Sequence, residues 1–301
     1  MHEKIIAMIK EKGPLTGSEI LGEIHEDPLL VWRVCGLCKD LTHRVVGTRY
    51  LRLDRKIEGF ARLSPSIMRE FLTYTVIGLA NDSSSVDSRA DEIIAHIEEV
   101  SRAKSAMAYN IVSTLVERLG NEMLIKEQVC FIIAGDIVFN MAHDVPRPER
   151  STGKLVKGSD MDIVVVVDDR FPKKLIKRLD EEIYKEKYSL LINPYLREEI
   201  DYIVKPMARV MEQIRFDTFK HMVACKILQE GTRLFGSEEI FHTIKTLLRE
   251  HGIYEKIESM EVQARTFRVK AEEYLLHEEP TKIKEENLNL FYPTEESEEF
   301  E

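Results

Sequence analysis

The sequence predicts an α+β protein of three domains that is followed by an acidic tail. A polar segment, residues 81–88, divides the chain, and apolar runs of strand type alternate with amphipathic helices after it. Beyond Pro206 the chain is mostly helical, with a turn between two of the helices at LFGS. A chain of 301 residues is long enough for two or three domains. The predicted domains are 1–80, 86–206 and 207–277, with a tail over 278–301.

The net charge of -10 is concentrated at the C-terminal end of the chain. Residues 271–301 contain eleven Glu and two Lys, so the remaining 270 residues are close to neutral. The acidic balance therefore indicates nothing about the partners of the body of the protein. We expect the tail to be a solvated or disordered end.

The distribution of apolar residues predicts a cytoplasmic protein. No stretch approaches the roughly 18 uncharged apolar residues of a membrane span. The N-terminal segment MHEKIIAMIKEKG is amphipathic and charged, and it lacks the apolar block of a signal peptide. We therefore expect no membrane partner.

Two of the four cysteines, Cys35 and Cys38, have the spacing of a redox or zinc pair. A structural zinc site needs four ligands, and no second pair follows in the sequence. A thioredoxin-like pair would open a helix after a strand, whereas this pair comes late in a helical stretch. The sequence therefore favours buried, apolar cysteines.

The first 80 residues predict three short helices followed by a hairpin in VVGTRYLRL, which turns at Gly47-Thr48. This order is that of a winged helix. Residues 43–69 contain seven Lys or Arg and two acids, a composition that suits phosphate contacts. Arg44, Arg49 and Arg52 are the candidate DNA-binding residues. Small winged domains also bind proteins, so the pattern leaves both kinds of partner open.

The rest of the chain predicts a catalytic domain with strands and a helical domain after it. A long amphipathic helix is expected first, and a helical form is open for IVFNMAHD after the first strand. The predicted elements are a helix 87–120, a strand 129–136, a loop 146–158, a strand 163–167, a helix 171–188, a strand 198–204, and helices 215–231, 237–252 and 254–277.

Two carboxylates stand at the start of the second of these strands. Asp160 and Asp162 are two residues apart, so on a strand they point to the same face and repel each other unless a cation lies between them. Hard oxygen ligands without His or Cys suit Mg²⁺ or Mn²⁺. Two such ions, about 4 Å apart, are a known device for nucleotidyl transfer. Asp201, inside the apolar strand EEIDYIV, is the candidate third carboxylate.

The stretch over residues 128–205 resembles the DNA polymerase beta-like nucleotidyltransferase superfamily. GSDMDIVVV matches the family's acid-x-acid element, and IDYIV matches the strand of its third acid. IIAGD matches the first element in part, because Asp136 stands where the family usually has Ser or Gly. The separation of 24 residues between Asp136 and Asp160 exceeds the usual spacer and indicates an inserted loop.

The resemblance implies roles for several residues. Asp160 and Asp162 would hold two Mg²⁺ or Mn²⁺ ions, and Asp201 would hold the catalytic ion and help to deprotonate the acceptor hydroxyl. Gly135 would let backbone N–H groups approach the triphosphate. The nucleotide-binding set implied by the resemblance is Gly135, Asp136, Ser159, Lys220 and Lys226. By sequence alone, Lys154 and Lys157 on the inserted loop are equally good candidates for the phosphate-binding lysine.

These features predict an enzyme that transfers a nucleoside monophosphate from an NTP, with ATP as the first expectation, to a hydroxyl. The acceptor class stays open between protein, RNA and a small molecule. The alternative is a DNA-binding regulator whose nucleotidyltransferase domain senses a nucleotide without turnover. The departure at Asp136 motivates that alternative.

Overall fold

The protein has a mixed α+β architecture with small sheets and a helical C-terminal region. The described residues form two compact units: unit 1 is Met1–Ile97 together with the described residues from Met260 onward, and unit 2 is Glu98–Ser259. The domain boundaries predicted from the sequence stay predictions. The computed structural model describes residues 1–149, 152–279, 282–283 and 288–292.

Ten helices and strands begin within the N-terminal part of unit 1, and the last of them continues into unit 2. They are α1 (His2–Lys12), β1 (Leu15–Thr16), α2 (Gly17–Ile24), α3 (Pro28–Leu37), β2 (Leu41–Val45), β3 (Tyr50–Leu53), β4 (Ala61–Ser64), α4 (Ile67–Thr73), β5 (Thr75–Leu79) and α5 (Ser83–Leu119).

The elements that follow belong to unit 2, except that the last helix returns to unit 1. They are α6 (Glu122–Gln128), β6 (Val129–Ala134), a 3₁₀ turn (Gly135–Phe139), β7 (Pro146–Pro148), β8 (Leu155–Lys157), β9 (Met161–Val167), α7 (Lys173–Ile192), β10 (Ile200–Pro206), α8 (Met207–Gln213), α9 (Phe219–Glu230), β11 (Thr232–Gly236), α10 (Glu238–Glu250) and α11 (Ile253–His277).

Unit 1 contains a three-stranded antiparallel sheet in the order β1-β5-β2 and a separate pair, β3 and β4. The predicted hairpin around Gly47 is therefore wrong, because its two strands pair with different partners: Arg44 lies opposite Val76, and Leu51 lies opposite Leu63. Alternation in VVGTRYLRL indicates two half-buried strands, but it carries no information about which strand each one meets.

The third helix of unit 1 is covered by the C-terminal part of the chain. Asp27 caps α3 by accepting hydrogen bonds from the N–H groups of Leu29 and Leu30. The rings of Trp32 and Phe291 lie 5.5 Å apart, and Phe291 is fully buried. The prediction of a solvated tail is therefore wrong for residues 288–292, because apolar side chains interrupt the acidic composition there. Residues 280–281, 284–287 and 293–301 of that tail lie outside the described residues.

The cysteines are free thiols in this fold. Burial raises the pKa of Cys35 to about 12, which confirms the prediction of an apolar cysteine at that position. Cys38 ends α3 and is half-buried. None of the helices among the described residues combines the length and the apolar character that a bilayer crossing requires.

Unit 2 contains a four-stranded sheet in the order β10-β9-β6-β11. β10 runs parallel to β9, whereas β6 runs antiparallel to both β9 and β11. Every residue of β6 and β9 is buried, which explains their continuous apolar sequences. Odd-numbered residues of both strands form one core with α5, α6 and α7. The even-numbered residues form the other face of the sheet, where Gly231 at the end of α9 lies close to Ile132.

Two local predictions in unit 2 are wrong. The region 146–158, predicted as a loop, contains the antiparallel pair β7 and β8. β11, which pairs with β6, lies where the sequence predicts a turn between helices. The segment IVFNMAHD, for which a helical form is left open, contributes its first three residues to the short 3₁₀ turn. Each of these segments is too short for periodicity to identify it, and β11 depends on a partner that is about 100 residues distant in sequence.

Candidate metal centre

The register of the two parallel strands brings the three predicted acids together. Asp201 lies directly beside Asp162, and Asp160 precedes Asp162 by two residues and therefore shares its face. One carboxylate oxygen from each of the three residues can be chosen so that all lie within 4.8 Å of one another. Asp162 is buried, whereas Asp160 and Asp201 are partly exposed. The cluster is thus fixed by strands and remains open to solvent.

Gly135 closes the space beside this cluster. Its predecessor, Ala134, pairs with Asp162, and the chain then turns with a φ of 72° at Gly135. A Cβ atom at this position would lie 2.1 Å from Oδ2 of Asp162. Both the backbone angle and the contact therefore require glycine. This finding explains why the first strand ends in Gly before the acid pair.

The turn at Gly135 is held by a buried ion pair. The Gly135 N–H donates to Oε1 of Glu230 at 3.2 Å, and Oε2 of the same carboxylate lies 2.6 Å from Nζ of Lys226. The side chains of Lys226 and Glu230 are 5% and 3% exposed. Lys226 therefore supports the turn through Glu230, and its implied contact with a nucleotide stays a prediction. Lys220 is exposed in the first turn of α9.

Asp136 and Ser159, two members of the implied nucleotide set, contact each other. Ser159 Oγ donates to Oδ2 of Asp136 at 2.7 Å and accepts from the N–H of His143 at 3.2 Å. The Ser159 N–H in turn donates to the His143 carbonyl at 2.9 Å. Asp136 therefore ties the segment after β6 to the residue that precedes the acid pair.

A fourth carboxylate, Glu199, lies beside the three predicted acids. It is 7% exposed and stands two residues before Asp201, immediately ahead of β10. Burial raises the pKa of Glu199 to about 7; the charge of Arg147 opposes this shift, and those of Asp160 and Asp201 add to it. The cluster therefore contains one carboxyl group more than the three predicted from the sequence.

Lys187 and Arg147 contact three of these four carboxylates. Nζ of Lys187, on α7, lies 2.6 Å from Oδ1 of Asp201. Nη2 of Arg147, on β7, lies 2.9 Å from Oε2 of Glu199 and 3.5 Å from Oδ2 of Asp160. Burial lowers the pKa of Arg147, but the neighbouring carboxylates raise it by more than burial lowers it. The net shift of this pKa is therefore upward.

The arrangement of the acids fits a divalent cation. Asp160, Asp162 and Asp201 each bring one carboxylate oxygen within 4.8 Å of the others, and carboxylates so close together repel one another unless a cation lies between them. All the oxygen donors are carboxylates, the ligands that Mg²⁺ and Mn²⁺ prefer. The residues present therefore fit the predicted metal.

A second buried ion pair holds the segments that lead into the site. Nζ of Lys104, on α5, donates to Oε2 of Glu198 at 2.5 Å and to the carbonyl of Lys157 at 2.8 Å. Both side chains of the pair are less than a tenth exposed. Lys104 thus fixes β8 and the beginning of β10 to the long helix. Lys157 itself is exposed and donates to the Tyr195 carbonyl, and Lys154 is also exposed.

The three candidate DNA-binding residues lie in unit 1. Arg44 forms ion pairs with Asp87 and Asp91, at 2.7 and 3.5 Å. Arg49 forms ion pairs with Glu70 and Glu272, at 2.6 and 3.0 Å. Arg52 lies opposite Arg62 in the pair of β3 and β4. A phosphate would have to compete with carboxylates for Arg44 and Arg49, and the role of all three stays a prediction.

Sequence reasoning did not identify Glu199, Arg147 and Lys187 as site residues. Glu199 carried a usable signal, because it precedes Asp201 by two residues and so shares its face in a strand. Arg147 and Lys187 carried none, since one lies in a segment interpreted as loop and the other in a charged helix. Only the fold brings these two cations to the acids.

Comparison with known proteins adds no assignment. No family model matches the chain, and no curated protein or solved structure gives a match. Any functional conclusion therefore depends on the sequence patterns and on the geometry described above.

Proposed function

We propose that the protein is a metal-dependent nucleotidyltransferase that moves a nucleoside monophosphate from an NTP to a hydroxyl group. The observation that carries this proposal is the meeting of Asp160, Asp162 and Asp201 within 4.8 Å on adjacent parallel strands. The contact between Gly135 and Asp162 supports it, because it puts a tight turn beside the acids at the position expected from the resemblance.

Asp160, Asp162 and Asp201 would hold Mg²⁺ or Mn²⁺. When bound, such ions neutralise phosphate charge and lower the pKa of a coordinated hydroxyl. In the reaction, the acceptor oxygen bonds to the α-phosphorus, the bond from that phosphorus to the bridging oxygen breaks, and pyrophosphate leaves. Asp201, which is partly exposed, accepts the proton of the acceptor hydroxyl. The Lys187 ammonium, 2.6 Å from Asp201, orients that carboxylate.

Under this proposal unit 2 contains the catalytic sheet, and α8 to α10 belong to the helical region that follows it. In unit 1, three helices precede β2, and β5 lies between β1 and β2. That order supports a winged-helix-like domain in which β3, β4 and α4 are inserted between two sheet strands.

The alternative of a DNA-binding regulator receives less support. The basic residues proposed for DNA contact include Arg44 and Arg49, which are paired with carboxylates. The helix that would enter a groove, α3, packs against Leu275 and Phe291 within unit 1. A filter-binding assay with duplex DNA at low salt would support this alternative if affinity were lost on charge reversal at Arg49 and Arg52.

The enzymatic proposal is tested by incubating the protein with each labelled NTP, Mn²⁺ and cell extract. Wild type is expected to transfer label, whereas Asp160→Ala and Asp162→Ala are expected to lose at least about a thousandfold in rate. Asp168→Ala, an acid at the far end of the same strand, serves as the control and should retain activity. Equal label transfer by wild type and the triad variants, or none with any NTP, would contradict the proposal.

A further inference from the structure

Among the described residues of the segment inserted between Asp136 and Asp160, Arg147 reaches the acids from a fixed support. Arg147 stands between Pro146 and Pro148, whose rings restrict the backbone of β7. It pairs with Val156 of β8, which is 2% exposed. Its Nε donates to the Gly158 carbonyl at 2.7 Å. The guanidinium is therefore held in place by the strand pair and by the chain that leads into the acid pair.

This arginine is a counter-ion of the acids in the protein alone. Its Nη2 lies between Oδ2 of Asp160 and Oε2 of Glu199, at 3.5 and 2.9 Å. The Arg147 side chain is 34% exposed, so the guanidinium also faces solvent. A divalent cation that binds Asp160 would compete with this contact, because both are positive charges at one carboxylate.

Two of the groups expected to hold a triphosphate are already engaged elsewhere. The Gly135 N–H donates to Glu230, and Lys226 is buried against the same carboxylate. An NTP carries about four negative charges next to the metal, and such charge calls for a cation within reach. A guanidinium is planar, offers a fork of N–H donors and is the side chain best matched to phosphate oxygens.

We propose that Arg147 binds the triphosphate of the NTP once a divalent cation has taken over its contact with Asp160. This inference rests on the proposed function. In the protein alone Arg147 neutralises Asp160 and Glu199; with metal and nucleotide bound it contacts phosphate oxygens. The inserted strand pair would thus supply the phosphate contact that the Gly135 turn does not supply.

Two titrations test this dual role, and neither depends on turnover. The first measures the affinity of Mn²⁺ alone by electron paramagnetic resonance, and the second measures by calorimetry the affinity of a preformed manganese–tripolyphosphate complex. Arg147→Ala is expected to bind Mn²⁺ alone about threefold to tenfold more tightly, because a competing charge is gone. It is expected to bind the tripolyphosphate complex at least about tenfold more weakly.

Two further variants test whether the effects of Arg147→Ala come from the loss of this particular guanidinium. Arg147→Lys keeps the charge and loses the fork, so it should resemble wild type with Mn²⁺ alone and fall between wild type and Arg147→Ala with tripolyphosphate. Arg170→Ala removes a mostly exposed arginine of the same unit and should change neither affinity. Circular dichroism establishes that each variant is folded.

The opposite results separate this inference from the proposed function. Unchanged tripolyphosphate affinity in Arg147→Ala would overturn the role of Arg147, even if nucleotidyl transfer were observed. Weaker binding of Mn²⁺ alone would overturn it as well, since it would show that the arginine organises the acids. The predicted affinities together with no transfer from any NTP would uphold Arg147 and reject the enzyme. Absence of tripolyphosphate binding to wild type would overturn both.

Discussion

The two units each contain a cluster of charged side chains, and the clusters differ in their balance. In unit 1, Arg49 and Arg268 face Glu70 and Glu272, with ion-pair distances from 2.6 to 3.1 Å. In the unit 2 cluster, Arg147 and Lys187 form ion pairs of 2.6 to 3.5 Å, and Asp160, Asp162 and Asp201 bring carboxylate oxygens within 4.8 Å of one another. The first cluster alternates two cations with two acids, whereas the second gathers three carboxylates around one point.

This difference separates a stabilising network from a binding site. Arg268 is 5% exposed in its side chain and also donates to the Pro65 carbonyl at 2.8 Å, so the unit 1 network joins α11 to the segment before α4. A balanced, buried network needs no further ion. Acids held as close together as those of unit 2 repel one another, and a divalent cation would relieve that repulsion. We therefore propose ion binding at the unit 2 cluster and not at the unit 1 network.

The largest expected effect comes from breaking the balanced network. Arg268→Met leaves Glu70 and Glu272 with less compensation and should lower the free energy of unfolding by about 3–5 kcal/mol. Chemical denaturation followed by circular dichroism measures this loss. Arg265→Met, on the same helix but with a half-exposed side chain, is the control and should cost less than about 1 kcal/mol. Equal losses for the two variants would remove the distinction between the clusters.

The next effect tests the packing of the acids against the turn. Gly135→Ala places a methyl group 2.1 Å from an Asp162 oxygen at a φ of 72°, and should cost about 2–4 kcal/mol. Gly120→Ala has a φ of 70° with nothing within 4 Å of the added carbon, so it should cost only about 1 kcal/mol. Thermal unfolding compares the two. A loss at Gly135 no larger than that at Gly120 would show that the contact is unimportant.

A third prediction concerns a buried cation of unit 2 that is paired with a neutral group. Lys205 is 4% exposed, and its Nζ donates to Oε1 of Gln213 at 2.8 Å. Burial lowers the pKa of Lys205 to about 8, from an ordinary value of 10.5. Between these values the unfolded chain binds more protons than the folded protein, so this group makes stability rise with pH in that window.

Lys205→Met should remove that rise, which amounts to about 1–3 kcal/mol between pH 8 and pH 10.5. Below pH 8 the variant should be more stable than wild type, because it no longer buries a charge. Denaturation profiles at several pH values check this, with Lys174→Met on the surface as the control. A rise of stability with pH that persists unchanged in the Lys205 variant would contradict the assignment.

The smallest expected effect is that of Asp162→Asn, and its sign is opposite to that of a comparable change in the unit 1 cluster. Asp162→Asn relieves repulsion among the acids and should stabilise the metal-free protein by about 1 kcal/mol. Glu70→Gln removes a carboxylate from the balanced network and should destabilise it. Urea denaturation in the presence of a chelator compares the two. Destabilisation by both changes would mean that the acids of unit 2 hold the fold rather than an ion.

The sequence predicted the strands of the site better than its surroundings. Asp160, Asp162 and Asp201 could be chosen because each interrupts or begins a long apolar run, and such runs identify buried strands from local sequence alone. Arg147 and Lys187 could not be chosen, because an Arg in a short segment and a Lys in a charged helix look like ordinary surface residues. Their roles depend on contacts between residues that are distant in the sequence.

The same limit applies to the fold of unit 1. Its helices follow from capping residues such as Thr16 and Asp27, which act within a few residues of their own position. The pairing of β2 with β5 spans the inserted strands and could not be derived from alternation. Likewise, the burial of Phe291 against Trp32 joins residues from opposite ends of the chain.

The central claim is that Asp160, Asp162 and Asp201 of unit 2 together bind a divalent cation. It is tested most directly by titrating Mn²⁺ into wild type, Asp162→Ala and Glu272→Ala and measuring the free ion by electron paramagnetic resonance. We predict saturable binding by wild type and by Glu272→Ala, and a loss of at least about tenfold in affinity for Asp162→Ala. Equal affinities of wild type and Asp162→Ala, or no saturable binding by wild type, would contradict the claim.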